Sequence, residues 1–539
     1  MDSARHRDQS TMIRQIPSEA ATMRTALVVL IAGVAARLSL AALLDPGVDE
    51  AYAMAVATQW QLSWFDHPPM VFWWIKIMKV LAAPFFADGV PAMIMRLPFV
   101  LAFTATSAVM FDLARRLWGV RAGLWTLVAL TMAPFFMVSA GSWMVPDGPL
   151  VLFLALTARL LAEILFFAPD AARERRLWLA AGLTLGLSGL SKYHAALFAL
   201  GALAFVLASP HRRRLVTPAP WLATLIVCIL VSPVLIWNAT NDWVSILFQS
   251  SRGAAREGTN WSGLARAVLG QMAYLGPWVL VGAVVAAVSR LRVDRTFAGP
   301  SGFLLALALP SILVFTAVPL WGGEALPHWQ MPGWLFLLPI LGCAIAEIEA
   351  QRGKGLHLVR GFVACATAVL LLAISAVIIF RTLPPSPATV ARLGINGFLS
   401  ESVTWRGLTA SLTARGLLAA DPPSTVTQGR PLVVAFRWID AARLAEALGN
   451  RATIAVFDND PRGFAFISDP ADWLGHDILL IGRPKTFSRG LEAVRHLFDH
   501  IDRQAPIQVK AGDATLFEAQ VAIGRFLKSP YFLPYPRRR

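Results

Sequence analysis

The residues in this chain most able to do chemistry fall in short polar segments between long apolar ones. The first reads Asp45-Pro46-Gly47-Val48-Asp49-Glu50-Ala51-Tyr52. Adjacent carboxylates opening a helix point in different directions, so one can face a substrate while the other orients a partner or caps the helix. A plain helix N-terminus with favourable acids fits the same spacing. In the second segment, Trp64-Phe65-Asp66-His67-Pro68-Pro69, two prolines fix the backbone and hence the direction of Asp66 and His67. A histidine beside a carboxylate can carry charge near neutral pH, which suits contact with a phosphate; a turn before an interfacial helix is the alternative. Asp147 stands between Pro146 and Pro149, as a further site acid or as the cap of the helix that follows. Lys192, flanked by Tyr193 and His194, lies mid-way through an apolar run, where an unpaired lysine is costly. It either snorkels to an interface or meets an anion. Trp237-Asn238, Asn241-Asp242-Trp243, Phe248-Gln249 and Arg252 fit an interfacial aromatic belt or a phosphate clamp. The last segment carries Glu324, Pro327, His328, Trp329 and Gln330.

Acids able to take a proton from a hydroxyl or amine, with cations able to hold a phosphate, suit transfer of a group from a phosphorylated lipid. Two carboxylates are also the equipment for hydrolysing a glycoside. A hydrolase, however, needs neither many spans nor basic residues at lipid depth. A transporter or flippase for a lipid-linked sugar would use the same charges as a path, and would place them deep within several spans.

The elements that must position these residues are membrane helices. The 539 residues are 56% hydrophobic and 15% charged, against roughly 25% charged in soluble domains. Mean hydropathy is +0.58. The net charge of +15 is concentrated in short loops between apolar stretches, the positive-inside pattern, and so argues for membrane lipid rather than nucleic acid as a partner. Basic turns at Arg115, Arg116 and Arg121, at Arg173, Arg175 and Arg176, at His211 to Arg214, at Arg290, Arg292 and Arg295, and at Arg352, Lys354 and Arg360 are read as cytoplasmic. The chemistry-bearing segments then share the opposite, outer face. Spans are expected over 25–44, 97–117, 122–143, 148–168, 217–237, 264–289, 300–320, 333–349 and 360–381. Residues 177–209 lie between two basic clusters and must cross an even number of times, as two short helices turning near Ser191 to His194. That gives about eleven spans, with 69–86 as an interfacial or re-entrant helix. The expected domains are a cytoplasmic tail 1–24, a transmembrane catalytic domain 25–381 and an outer soluble domain 382–539.

The soluble domain begins after a rigid linker, Leu383-Pro384-Pro385-Ser386-Pro387, and ends in a basic tail, Pro536-Arg537-Arg538-Arg539. Strands at 431–436, 452–457 and 477–481 with a helix at 441–448 predict a small α/β sheet. Cys228, Cys343 and Cys365 all lie in apolar stretches and read as buried hydrophobes, with no disulfide framework or metal spacing.

The segments Asp49-Glu50-Ala51-Tyr52, Phe65-Asp66-His67-Pro68-Pro69, Arg96-Leu97-Pro98, Pro146-Asp147, Leu190-Ser191-Lys192-Tyr193 and Pro327-His328-Trp329 resemble, in order, the GT-C membrane glycosyltransferases. The specific resemblance is to the superfamily of protein O-mannosyltransferases and aminoarabinose lipid A transferases, in its bacterial subgroup with the Asp-His-Pro-Pro loop. It covers about residues 35–345. It implies a multi-pass enzyme of the bacterial inner membrane, with its site and C-terminal domain facing the periplasm. The enzyme would transfer a hexose or pentose from a polyprenyl-phosphate donor to a lipid, glycan or protein acceptor, inverting the anomeric centre, with no metal or other cofactor. By carry-over, Asp49 takes a proton from the attacking acceptor group or orients it, Glu50 supports Asp49 or binds the acceptor, and Asp147 matches the second acidic position. Lys192 and, more weakly, Arg252 hold the donor phosphate. Tyr52, Asp66, His67, Tyr193, Glu324 and His328 are the other substrate-binding candidates. Aminoarabinose transferases carry a lysine before the two prolines where this chain has His67, which makes phosphate contact there weaker or pH-sensitive.

Overall fold

The computed structural model of the chain describes residues 18–535 apart from 87–88, 257, 295, 352–354, 383–385, 395–398, 400, 402, 419–429 and 512. Arg295, Arg352, Lys354, most of the proline linker, the basic tail and most of the N-terminal tail lie outside the described residues.

Helices follow from the apolar stretches because backbone groups in lipid must bond within their own segment. The chain opens with α1 (Glu19–Leu43), then two short helices, α2 (Val48–Val56) and α3 (Met70–Ala82), and the long α4 (Ala92–Trp118). α3 has 13 residues, which at 1.5 Å each falls well short of a hydrocarbon core of about 30 Å. α5 (Val120–Met132) ends at Ala133, where the chain bends by 84° into α6 (Pro134–Met137) and α7 (Ser139–Ser142). α8 (Asp147–Phe166), α9 (Ala171–Gly189) and α10 (Ala195–Ala208) follow, with Leu190 to His194 as the expected turn between the last two. Next come α11 (Pro218–Thr240), α12 (Val244–Gly253), α13 (Trp261–Leu275), α14 (Pro277–Val293), α15 (Pro300–Ala317), α16 (Met331–Gln351) and α17 (Gly355–Thr382).

Among the described residues, seven helices are long and apolar enough to cross a membrane, or ten if each of three bent pairs is one span. The expected count of eleven differs through α9, whose first turns hold Arg173, Glu174, Arg175 and Arg176. The single span expected at 264–289 is two helices, α13 and α14, meeting at 101°. The break is at Gly276, whose φ of +82° a side-chain-bearing residue would strain to adopt, followed by Pro277. The helices pack closely through small residues: a Cβ on Gly201 would lie 2.0 Å from the Ala306 carbonyl oxygen, and one on Gly182 2.5 Å from that of Ala223.

Beyond α17 come α18 (Pro387–Leu393), α19 (Arg406–Ala414), β1 (Leu432–Ala435), α20 (Trp438–Leu448), β2 (Thr453–Val456), β3 (Ile478–Gly482), α21 (Pro484–Val494), β4 (Phe498–Ala511) and β5 (Ala514–Leu527). The sheet order is β2-β1-β3-β5-β4; β1 runs parallel to β2 and β3, and β5 antiparallel to β3 and β4. The first three strands and α20 are those expected; the long β4–β5 hairpin is not. One apolar core joins α4, α5, α8, α10 and α13 to α16. A second is shared across the two parts: Tyr52, Val56, Trp64 and Phe72 pack in one cluster with Leu408, Val433, Leu444 and Phe464. The sheet domain is therefore seated on α2 and α3 rather than hung from a linker. Arg443 of α20, fully buried, reinforces the seat with a 2.8 Å hydrogen bond to the Pro46 carbonyl.

Candidate active site

Asp45, Pro46 and Gly47 end α1 and open α2, so Asp49 and Glu50 occupy the first turn. Glu50 is fully buried. Its Oε1 accepts from Arg96 Nε at 2.8 Å and from the Met144 amide at 3.0 Å. Its Oε2 accepts from Arg96 Nη2 at 2.5 Å and from the Gly47 amide at 2.9 Å. Arg96 also donates to the carbonyls of Ala41, Leu44 and Asp45 at 2.8, 2.6 and 3.2 Å. One guanidinium thus pins the end of α1 and the start of α2 to α4. Of the two sequence readings for the acid pair, Glu50 takes the orienting and capping one.

Asp49 differs from it. No hydrogen bond or ion pair engages its carboxylate among the described residues, and the side chain is open to solvent in a cleft. Protein closes around that cleft, and burial pushes the Asp49 carboxyl above the usual aspartate range. Arg462 opposes the rise, while Glu50 and Asp147 add to it.

Asp147 opens α8 and Lys192 sits in the turn before α10. Lys192 Nζ lies 2.9 and 3.1 Å from the two Asp147 oxygens, with the side chains 4% and 5% exposed. The lysine therefore does not snorkel; the anion it meets is Asp147. Asp66 is buried and accepts a 3.0 Å hydrogen bond from the Tyr52 hydroxyl, which itself accepts from the Gly463 amide at 2.9 Å. Burial pushes Asp66 up to about 6. Gln249 Nε2 donates to the Asp66 carbonyl at 2.5 Å, tying α12 to this loop.

For His67 the sequence left two readings open, charge near neutral pH beside Asp66 or a plain turn before an interfacial helix. Burial, reinforced by Lys192, Arg252, His328 and Arg462, pulls its pKa well below the ordinary value, so it stays neutral. Its Nδ1 is buried with no partner among the described residues. Arg252 on α12 stacks on Trp329 at 4.6 Å and reaches Phe248 at 5.8 Å. His328 lies within reach of the charges of Lys192, Asp147 and Arg252. Tyr193 places its hydroxyl 2.8 Å from Ser245 Oγ, in a packing layer with Met70 and Leu190. Glu324 stays on the rim, half-exposed and 3.3 Å from Arg256.

Two groups that sequence reasoning missed are close to the site. Tyr274, on the broken helix α13, lies within reach of the Asp49 and Asp147 charges. Arg462 comes from the sheet domain and acts on Asp49, Tyr52, Asp66 and Arg252. No local signal marks Arg462, more than 400 residues beyond Asp49. Among the described residues no three His, Cys, Asp or Glu side chains converge as a metal site. Three of the basic turns are tied together by ion pairs: Arg116, Arg159 and Arg173 surround Glu163, and Arg214 pairs with Glu174.

This arrangement of broken and continuous membrane helices, with acids and cations at one end under a seated sheet domain, is the GT-C fold. Residues 66–237 match the family of dolichyl-phosphate-mannose-protein mannosyltransferases, a stretch of less than half the chain. Among solved structures the chain is similar to ArnT from Cupriavidus metallidurans bound to undecaprenyl phosphate, with TM-score 0.60, 16% identity, and 93% of this chain and 97% of that one covered. The apo form of the same enzyme gives TM-score 0.59 at 16% identity over the same shares of 93% and 97%. The archaeal oligosaccharyltransferase AglB from Archaeoglobus fulgidus, in complex with an inhibitory peptide and a dolichol-phosphate, gives TM-score 0.50 at 14% identity over 92% of this chain and 75% of that one. No curated protein sequence matches the chain. The family match and the fold bear out the resemblance to the GT-C glycosyltransferases at the level of the superfamily.

Proposed function

We propose that the protein transfers a sugar from a polyprenyl-phosphate-linked donor to a lipid, glycan or protein acceptor at the periplasmic face of a bacterial inner membrane. The observation that carries this reading is the division of labour among the acids. Glu50 is held by Arg96, Asp147 by Lys192 and Asp66 by Tyr52, which leaves Asp49 uncommitted in the cleft. A carboxylate with a raised pKa is a suitable base for an acceptor hydroxyl or amine. Asp49 takes the acceptor proton as the acceptor atom attacks the anomeric carbon, and the bond from that carbon to the phosphate oxygen breaks. A single displacement inverts the centre. The phosphate leaves already ionised, so it needs cations rather than an acid, and Arg252 supplies one. Lys192 acts through Asp147, and its ion pair fixes the opening of α8 to the turn between α9 and α10. The similarity to an ArnT structure bound to undecaprenyl phosphate supports a lipid-phosphate ligand.

The transporter reading loses support because the site charges collect at one end of the bundle, beneath the seated sheet domain. The test is to incubate solubilised protein with an envelope extract that supplies lipid, glycan and protein acceptors and a panel of synthetic polyprenyl-phosphate sugars, and to follow acceptor-dependent release of free polyprenyl phosphate. Release from at least one sugar donor, absent in Asp49→Asn, is expected. Release that persists unchanged in Asp49→Asn removes the assigned base.

A further inference from the structure

The sheet domain has no role in the proposal so far, yet one of its loops enters the site. That loop is the short turn Arg462–Phe466. Gly463 is pressed so closely on α2 that a Cβ there would lie 2.5 Å from the Tyr52 hydroxyl, and its amide donates to that oxygen. Phe466 packs on Phe65 at 6.0 Å and on Trp237 at 5.5 Å. The turn is thereby fixed against both α2 and α11. Arg462 itself holds a φ of +48°, a conformation that residues other than glycine seldom adopt, and one that persists where the surroundings over-determine it.

The Arg462 guanidinium lies over Trp438 at 3.9 Å and reaches Phe248 at 5.7 Å. On the membrane side Arg252 reaches the same Phe248 ring at 5.8 Å and stacks on Trp329 at 4.6 Å. Two guanidiniums from two domains thus share one aromatic ring, and each lowers the other's freedom to be there by like-charge repulsion. Asp49 and Asp66 act on Arg462 through space, but among the described residues no carboxylate closes a short ion pair with either guanidinium. Asp460 Oδ2 is 3.5 Å from Arg462 Nε, at the outer limit of a hydrogen bond, and Asp460 also accepts from Tyr535 at 3.4 Å. Glu324 is turned to Arg256. A guanidinium placed over an aromatic ring spends none of its N–H groups on that contact, and its planar fork can receive a phosphate in bidentate fashion. An anion between the two would relieve the repulsion and use donors that the protein leaves largely unused.

We propose that Arg462 is a substrate-binding residue of the membrane site, forming with Arg252 a two-domain guanidinium pair that grips the phosphate of the lipid-linked substrate. This rests on the lipid-phosphate reading given above. It makes the sheet domain a part of the binding site rather than an accessory to it.

The test uses the full chain in lipid nanodiscs, titrated with a polyprenyl phosphate and with the polyprenol that lacks the phosphate. Wild-type protein is expected to prefer the phosphate. Arg462→Gln is expected to lower affinity for the phosphate tenfold or more, with polyprenol binding unchanged, and Arg462→Lys to recover part of the loss. A merely structural role would lower both affinities together. Wild-type preference that survives intact in Arg462→Gln overturns the pair alone. Wild-type protein that does not distinguish the two lipids overturns the lipid-phosphate reading and the pair with it. Should Arg462→Gln fail to fold, Asp460→Asn serves from the other side: removing the weak competitor should tighten phosphate binding, and weaker binding counts against the pair.

Discussion

Replacing Arg96 with methionine should unseat the catalytic turn without touching any residue that faces the cleft. Arg96 and Glu50 are both fully buried, so the variant leaves a carboxylate in a dry site with no cation. Breaking a buried pair from one side costs about 3–5 kcal/mol. Three carbonyls, of Ala41, Leu44 and Asp45, lose their Arg96 donor as well. These terms share one side chain and do not simply add, so a loss of about 4 kcal/mol or more is the working figure. That is a large share of the roughly 5–15 kcal/mol that holds a domain folded. Neutralising the orphan should help. Glu50→Gln in the same chain removes the buried charge while its amide oxygen still accepts one of the Gly47 and Met144 amides. The assay is thermal unfolding of the detergent-solubilised protein. Arg96→Met should melt far below wild type, and the double variant should regain at least half of that loss. An Arg96→Met protein that melts with wild type, or a double variant worse than the single, would refute the reasoning.

Lys192→Met leaves Asp147 buried and unpaired, and should destabilise by about 3–5 kcal/mol; adding Asp147→Asn should restore most of it in a double-mutant cycle on thermal unfolding. Asp66 has a folded pKa of about 6, above its ordinary 3.8. The native state therefore holds the proton more tightly than the unfolded chain, and this group's share of stability falls as pH rises from about 4 to about 6, by about 3 kcal/mol at most. Melting curves of Asp66→Asn should lack that slope; an identical slope in the variant contradicts the assignment. Arg462 is the main group holding the Asp49 pKa down. Arg462→Gln should therefore move the acidic limb of the kcat/KM profile to higher pH, and a limb unmoved or shifted lower would show that Asp49 is not the group titrating.

The parts of this molecule legible in its sequence were those with a local signature. Continuous apolar runs marked α1, α4, α8 and α11, and the turn at Ser191 to His194 followed from counting crossings between basic loops. The strands of the sheet domain that lie buried, such as Ile478–Gly482, showed as apolar runs. The β4–β5 hairpin did not, because consecutive polar residues such as Asp502, Arg503 and Gln504 interrupt the apolar run on both faces of β4; Gly512-Asp513 between two alternating stretches is the signal that could have found it. The bends after Met132 and Leu275 were missed although Pro134 and Gly276-Pro277 stand there, since an apolar run carries no sign of its direction. The site acids were legible as candidates but not as a hierarchy. Glu50 with Arg96 and Asp147 with Lys192 are pairs about 45 residues apart in sequence, and only the packing of α2 on α4 and of α8 beside the α9–α10 turn joins them. Arg462 was further still from view, because nothing in the sequence indicated that the sheet domain would seat itself on α2.

The central claim, that Asp49 is the free base of a sugar transferase, is tested most directly by mass spectrometry of envelope lipids and glycans. Cells making wild-type protein are compared with cells making Asp49→Asn at equal abundance in the membrane. The account expects one hexose or pentose increment to be present with wild type and missing with the variant. Identical envelope spectra from the two would contradict it.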